Sequence, residues 1–165
     1  MSIMYQYATT LKDYSDFCLY LLKSKLWKLS LVFLIFEFAF MYIAYGSDFY
    51  SSIVFSIIVV LIISIICIAI TKASAKRNFT SNKILQLTQN VKIDRNGICS
   101  ESKVAKSNIP FDLVYCLRES KKFIYIFTAE SSAMIIPKNI LSNNEYEDLK
   151  NILKSNLPSS LNCIK

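Results

Sequence analysis

Two apolar runs lie close together in the first half of the chain. Leu29 to Tyr45 holds 17 residues with one formal charge, and Phe49 to Thr71 holds 23 residues with none. At about 1.5 Å per residue, a helical second run is about 35 Å long, against a bilayer core of about 30 Å. The first run is about 26 Å long and reaches bilayer thickness once Trp27, Lys28 and Gly46 are included as interfacial ends. Because only Gly46 to Asp48 separates the runs, the sequence predicts a two-helix transmembrane hairpin.

A buried helical hairpin and a signal peptide are the alternative interpretations of these runs. A buried helix in a soluble protein needs a polar face, whereas Ile53 to Ile70 has only Ser56, Ser64 and Cys67 as polar residues. A signal peptide is disfavoured because the first run begins near residue 29, lacks a small-residue cleavage site and is followed at once by another run. Both runs are therefore expected to persist in the mature chain.

Basic residues flank the hairpin on both outer sides but are absent from its loop. The flanking residues are Lys12, Lys23, Lys25, Lys28, Lys72, Lys76, Arg77 and Lys83. The positive-inside rule therefore predicts a multi-pass protein with both termini in the cytoplasm. Frequent Ile, Lys and Asn with little Gly is typical of an AT-rich bacterial genome, so the membrane is expected to be the bacterial inner (plasma) membrane.

The sequence predicts three parts: residues 1–28, the hairpin of residues 29–71, and a cytoplasmic domain of residues 72–165. In the first part, Ile3, Tyr5 and Tyr7 alternate with more polar residues, which fits either an edge strand or a frayed terminus. A helix is expected from about Leu11 toward Trp27. It either lies along the inner interface before turning into the membrane or extends the first span.

Glu37 is the one acidic residue at mid-depth of the predicted hairpin, where ionisable side chains are functional hypotheses by default. Antiparallel packing places Ser56 at nearly the same depth, as its expected hydrogen-bond partner. Ser52 and Ser56 form a small-x-x-x-small pair that allows close helix packing. We therefore expect Glu37, Ser52 and Ser56 to serve intramembrane packing, within the hairpin or between protomers. The alternative is proton or ion transport by an oligomer.

The positive charge is concentrated after the hairpin. Residues 1–71 carry four basic and four acidic groups, whereas residues 72–165 carry fifteen basic and eight acidic groups. Attraction to anionic headgroups, worth about 1 kcal/mol per nearby Lys or Arg, accounts for this distribution without nucleic-acid binding. The lipid bilayer is thus an expected partner, and nucleic acid is not.

Missing residue types argue against catalysis. The chain has no histidine, so it lacks the commonest general base, and it has only Gly46 and Gly97, too few for a phosphate-binding loop. No serine or cysteine has a recognisable base beside it. The sequence therefore predicts no catalytic residue, no cofactor and no metal site, and the chain is not expected to be an enzyme.

The part after the hairpin shows short alternating segments punctuated by turn signals. Asn96-Gly97 predicts a type I′ hairpin turn. Strands are expected before this turn and over 98–103, 113–118, 123–128 and 133–137. Ser142 and Glu145 form a capping box ahead of an amphipathic helix that Pro158 stops. The fold class is therefore an α+β membrane protein with a small antiparallel meander of about five strands closed by a C-terminal helix.

These residues resemble the YcxB-like family of bacterial membrane proteins. The resemblance is carried by residues 93–98, 111–119, 123–127, 133–138 and the capped helix, and Thr10 to Tyr14 and the two apolar runs fit the family's layout. It implies a cytoplasmic domain related to pleckstrin-homology-like (PH-like) folds, in which a C-terminal helix plugs a bent sheet. It implies no catalytic residue.

The leading functional hypothesis is a non-enzymatic, membrane-anchored binding or scaffold module. Its sheet edge or loops would engage a peptide, a partner protein or lipid headgroups, with Lys121 and Lys122 as a candidate headgroup contact. The alternative is an immunity or membrane-protection protein against a bacteriocin or toxin. An accessory role in an oligomeric transporter is a third hypothesis.

Overall fold

The computed structural model of the protein describes residues 2–44, 46 and 48–158. Tyr45 and Ser47 of the predicted hairpin, and residues 159–165 of the predicted cytoplasmic domain, lie outside the described residues. The chain forms two compact units. The helical unit is Leu11–Ser81, and the sheet unit combines the residues before Leu11 with those after Ser81.

The helical unit consists of two long helices, α1 (Leu11–Ala44) and α2 (Phe49–Ser81). They contain 34 and 33 residues, whereas about 20 residues suffice to cross a bilayer. Both helices are long and apolar enough to span a membrane. The polar segments beside the apolar runs continue the helices because they contain no Gly or Pro and are rich in Lys, a good helix former.

The boundaries of the two units differ from the predicted domain limits. Residue 28 lies inside α1, which runs without a break from Leu11, so no turn separates an interfacial helix from the first apolar run. Residue 71 lies inside α2, which continues for ten further residues to Ser81. The hydropathy pattern locates the ends of the apolar runs, but helix propensity decides where the helices end.

In its described residues, the sheet unit contains seven antiparallel strands, one α-helix and three short 3-10 helices. The strands are β1 (Ile3–Ala8), β2 (Thr88–Asp94), β3 (Gly97–Glu101), β4 (Lys106–Ile109), β5 (Cys116–Glu119), β6 (Phe123–Ala129) and β7 (Ser132–Pro137). They form a four-stranded sheet in the order β1-β2-β3-β4 and a three-stranded sheet in the order β5-β6-β7. Helix α3 (Asn143–Asn156) follows. The predicted α+β class, with antiparallel sheets and a C-terminal helix, is confirmed.

The N-terminal residues form a strand of the four-stranded sheet. β1 pairs directly with β2, from Ile3 opposite Ile93 to Ala8 opposite Thr88. The whole helical unit is therefore an insertion in the connection between two adjacent antiparallel strands. An ordinary hairpin joins such strands with two to five residues, whereas residues 9–87 make this connection.

Two local predictions about the strands are wrong. The β2–β3 turn lies at Arg95 and Asn96 as expected, but no described non-glycine residue has a positive φ, so the turn is not type I′. Only Gly97 has a positive φ in this turn, +145°. The meander also contains an additional strand, β4, which pairs with β3 through its backbone. The sequence did not predict β4 because its residues, KSNI, show no apolar alternation.

Both sheets and α3 contribute to one apolar core. Its buried residues are Ile3, Val91, Ile93, Ile98, Phe111, Val114, Leu117, Ile124, Ile126, Ile136, Leu149, Ile152, Leu153 and Leu157. The predicted capping box of α3 is confirmed, since the Glu145 amide donates to Ser142 Oγ at 3.3 Å and the Ser142 amide donates to Glu145 Oε2 at 2.9 Å. It starts α3 where Leu149 and Leu153 can reach the core.

Candidate binding groove

The register of the four-stranded sheet sorts its side chains into two faces. One row across the sheet is entirely isoleucine and belongs to the core or packs against it: Ile3, Ile93, Ile98 and Ile109. Since successive side chains point to opposite faces, the intervening residues lie on the outer face. One outer row is Gln6, Asn90, Glu101 and Lys106, and the next contains Met4, Lys92 and Cys99.

These two outer rows line a groove of about 630 Å³, within the range of 300 to 1,000 Å³ typical of ligand sites. Residues from all four strands contribute to it: Met4, Tyr5, Gln6, Asn90, Val91, Lys92, Cys99, Glu101 and Lys106. Because every contributor belongs to a paired strand, the groove has a fixed backbone frame. We call this surface the outer groove.

The outer groove offers hydrogen-bonding groups and both signs of charge. Gln6 and Asn90 are paired neighbours with exposed side-chain amides, which both donate and accept hydrogen bonds. Lys106 Nζ lies 3.5 Å from Glu101 Oε2, and both side chains are more than half exposed. Met4 adds an exposed, flexible apolar side chain at one end. Such a surface can match a polypeptide backbone and its side chains.

Tyr5 also borders the outer groove, but its hydroxyl group is not available there. Its side chain packs against the apolar core, on the face opposite Met4 and Gln6. The hydroxyl is buried without a hydrogen-bond partner among the described residues, and burial raises the pKa of Tyr5 well above its usual value. The ring therefore stabilises the sheet, and the side chains of the outer rows supply the groups that can contact a ligand in the groove.

Lys121 and Lys122 lie in the turn between β5 and β6 and are both exposed. The turn is held by Ser120, whose amide donates to the Phe123 carbonyl at 2.8 Å, and by the Lys138 amide, which donates to the Lys122 carbonyl at 2.9 Å. The two lysines thus adjoin one another on the three-stranded sheet and do not line the outer groove, which belongs to the four-stranded sheet.

A polar cluster around Glu119 lies next to this turn. Lys138 Nζ and the Tyr146 hydroxyl, the latter at 2.5 Å, both donate to Glu119 Oε1. Lys138 Nζ and Lys150 Nζ lie 5.3 and 5.5 Å from the centre of the Tyr146 ring. The cluster connects β5, the segment after β7 and α3, so its most direct role is to hold the helix on the sheets.

This cluster predicts a pH dependence of stability. Burial alone would raise the pKa of Glu119, but the hydrogen bonds from Lys138 and Tyr146 outweigh it and lower that pKa below its usual value. Donating its hydroxyl proton to the Glu119 carboxylate raises the pKa of Tyr146 to about 12. The stabilisation of the fold by the Glu119 carboxylate should therefore be present at neutral pH and be lost as the pH falls through the lowered pKa of Glu119. The Tyr146 contribution should be present below pH 10 and vanish as the pH rises through 12.

Replacing the carboxyl group in Glu119→Gln is expected to lower the free energy of unfolding by about 1 to 3 kcal/mol at pH 7, because two donors lose a charged acceptor. Urea unfolding followed by near-ultraviolet circular dichroism of the tyrosines measures this difference. The difference in free energy of unfolding between the unmodified protein and the Glu119→Gln variant should decrease as the pH falls toward 3. A difference independent of pH would show that the Glu119 charge does not hold α3.

Ser52 and Ser56 are the most completely buried polar residues of the helical unit, with 0% and 1% exposure. α1 is the element that packs extensively on α2, so this face of α2 lies against it. Ser56 Oγ donates to the Ser52 carbonyl at 2.7 Å, one turn back along its own helix. Glu37 is half-buried on α1, and the expected Glu37–Ser56 hydrogen bond is not formed.

Sequence reasoning missed the residues of the outer groove. Gln6 and Asn90 are 84 positions apart in the chain and meet only because the helical unit is inserted between their strands. Glu101 and Lys106 flank a turn, and their opposite charges were the one local signal that they pair across β3 and β4.

Comparison with known proteins adds a family relationship for part of the chain. Residues 93–153, from the end of β2 into α3, match the family model described as YcxB-like protein, which confirms the resemblance over that range. No curated protein and no solved structure matches the chain.

Proposed function

We propose, with the YcxB-like match as the premise, that this chain is a non-enzymatic binding protein of the bacterial inner membrane. In this proposal α1 and α2 cross the membrane as a hairpin, and the sheet unit lies in the cytoplasm as a PH-like domain. The outer groove binds a short, extended polypeptide segment of a partner. The observation that carries the binding role is the groove itself, which is built from four paired strands and lined by exposed polar side chains.

The pairing of β1 with β2 supports the proposed topology. Paired strands of one sheet must lie on the same side of any membrane, so the chain between Ala8 and Thr88 must cross it an even number of times. Two helices of sufficient length and hydropathy lie between them. This argument is independent of the lysine distribution, and both lead to a two-span hairpin.

The chemistry of the outer groove favours binding a polypeptide over catalysis. Its amide groups, Gln6 and Asn90, complement peptide N–H and C=O groups. Its carboxylate and ammonium groups, Glu101 and Lys106, form an exposed ion pair, which is unlike the buried, perturbed groups of acid–base catalysis. The same groups of opposite sign would select a partner segment that carries both charges.

Removing side chains of the outer groove should weaken peptide binding without unfolding the sheet unit. Peptides selected from a random library on the full-length protein in nanodiscs are expected to bind the double variant Asn90→Ala, Glu101→Ala about tenfold or more weakly, since each lost hydrogen bond is worth about 1 kcal/mol. Both side chains are exposed, so the variant should retain its unfolding curve. Isothermal titration calorimetry provides the affinities.

The matched control is Lys121→Ala, Lys122→Ala, which removes two exposed charges outside the groove and should leave peptide affinity unchanged. Equal affinity of the groove variant and the unmodified protein would contradict the proposal. A further experiment measures how strongly the sheet unit, with the hairpin replaced by a linker, binds to vesicles of phosphatidylglycerol. Vesicle binding that depends on Lys121 and Lys122, together with no selectable peptide, would replace the peptide with a lipid headgroup.

A further inference from the structure

Glu37 lies at the middle of the first apolar run, eight residues from either end. It therefore stands about 12 Å along the helix from each end of the run. Under the membrane placement proposed above, on which this inference rests, the position is close to the bilayer centre. An ionisable side chain there is costly and is almost always found with a polar partner.

The neighbouring helix does not supply that partner. Four hydroxyl groups in the apolar run of α2 each donate to a carbonyl four residues earlier in the chain, at 2.7 to 3.0 Å: Ser52, Ser56, Ser64 and Thr71. Their protons are thus taken up by the α2 backbone. Among the described residues, the Glu37 carboxyl group forms no hydrogen bond and no ion pair.

Glu37 lies at the margin of the α1–α2 pair, where another molecule can reach it. Its neighbour Phe38 faces α2, because the Phe38 and Phe49 rings meet edge to face with centroids 5.5 Å apart. Phe33 and Phe40, one turn before and after Glu37, are 38% and 47% exposed. The Glu37 carboxyl therefore lies between the face that packs on α2 and a face that is open.

We propose that this open face binds a second copy of the chain, with the two Glu37 carboxyl groups hydrogen-bonded to each other. Glu37 is the one Asp, Glu, Lys or Arg in the two apolar runs, so within the bilayer the chain offers this carboxyl group one group of matching chemistry, the same carboxyl group in another copy. A two-fold axis places identical residues opposite each other. In a pair of carboxylic acids, each group both donates and accepts one hydrogen bond. Such hydrogen bonds stabilise helix association in an apolar medium.

The test measures association of purified full-length protein in vesicles by resonance energy transfer between labelled copies. Glu37→Leu is expected to weaken dimerisation by about tenfold, as loss of interhelical hydrogen bonds in lipid does. Glu37→Gln should retain it, because paired amides also donate and accept. Ile35→Leu is the matched control, since residue 35 is 59% exposed but lies on nearly the opposite side of α1.

Cysteine crosslinking in the same vesicles locates the interface. In a cysteine-free chain, Phe33→Cys and Phe40→Cys should form disulfide-linked dimers and Ile35→Cys should not, and adding Glu37→Leu should lower the yield of the linked species. Monomeric unmodified protein would overturn the proposal, as would a Glu37→Leu protein that dimerises normally. Failure of Glu37→Gln to dimerise would also overturn it.

Vesicle flotation of the same samples separates this inference from the proposed function. Unmodified protein that does not float with the vesicles contradicts the membrane placement and the dimer together. Protein that floats and binds peptide but remains monomeric contradicts the dimer alone. Dimerisation that appears only when a membrane extract is added would assign the open face to a different protein.

Discussion

A chain in which a four-residue Gly-Ser linker replaces residues 11–81 is expected to fold into the sheet unit, whereas residues 82–165 alone should fail to do so. The isolated C-terminal part lacks β1, whose Ile3 is buried in the core and whose backbone pairs with β2 along its length. Losing one buried isoleucine side chain costs about 2 to 5 kcal/mol, a large part of the 5 to 15 kcal/mol that stabilises a typical domain.

Heteronuclear NMR spectra and urea unfolding distinguish the two chains. The fusion should give dispersed amide signals and a cooperative transition, because Ala8 and Thr88 are paired neighbours that a short linker can join. The C-terminal part should give a poorly dispersed spectrum or aggregate through the exposed edge of β2. A stable, cooperative fold of residues 82–165 alone would show that β1 is dispensable.

Gly97→Ala is expected to lower the free energy of unfolding of the fusion by about 2 to 4 kcal/mol, the upper range for single substitutions. Gly97 has a φ of +145°, a conformation that side-chain-bearing residues rarely adopt. An added Cβ atom would also lie 2.7 Å from the Ile109 carbonyl oxygen and 3.2 Å from Pro110 Cα. Both neighbours are backbone atoms, so relief requires the β3–β4 pairing to shift.

Asn96→Ala tests whether this effect belongs to the glycine or to the turn. The backbone N–H of residue Asn96 donates to Asp94 Oδ1 at 2.9 Å. Alanine keeps this backbone donor, so the free energy of unfolding should change by less than about 0.5 kcal/mol. Equal effects of Gly97→Ala and Asn96→Ala on urea unfolding would refute the steric explanation.

Local features of the fold were readable from the sequence. The two apolar runs predicted α1 and α2 because periodicity and length are intrinsic to each run. Ser142 and Glu145 predicted the start of α3 because a capping box involves residues only three apart. Asn96-Gly97 predicted the position of the β2–β3 turn for the same reason.

Features that depend on distant partners were not readable. Alternation in Ile3 to Ala8 fitted a strand or a frayed end equally, since its partner β2 begins 80 residues after Ala8. The backbone of β4 pairs without an apolar pattern. The Asn96-Gly97 dipeptide predicted a type I′ turn, whereas Arg95 and Asn96 both have negative φ angles. The outer groove combines these effects, because its rows exist only once all four strands are in register.

The insertion of the helical unit between β1 and β2 has a consequence for biosynthesis. At about 5 to 20 residues per second, a ribosome needs about 4 to 16 seconds after completing β1 to begin β2, 80 residues later. During that time the ribosome completes both apolar runs. The four-stranded sheet therefore cannot close until both α1 and α2 have been synthesised, so its closure reports that the whole helical unit has already been made.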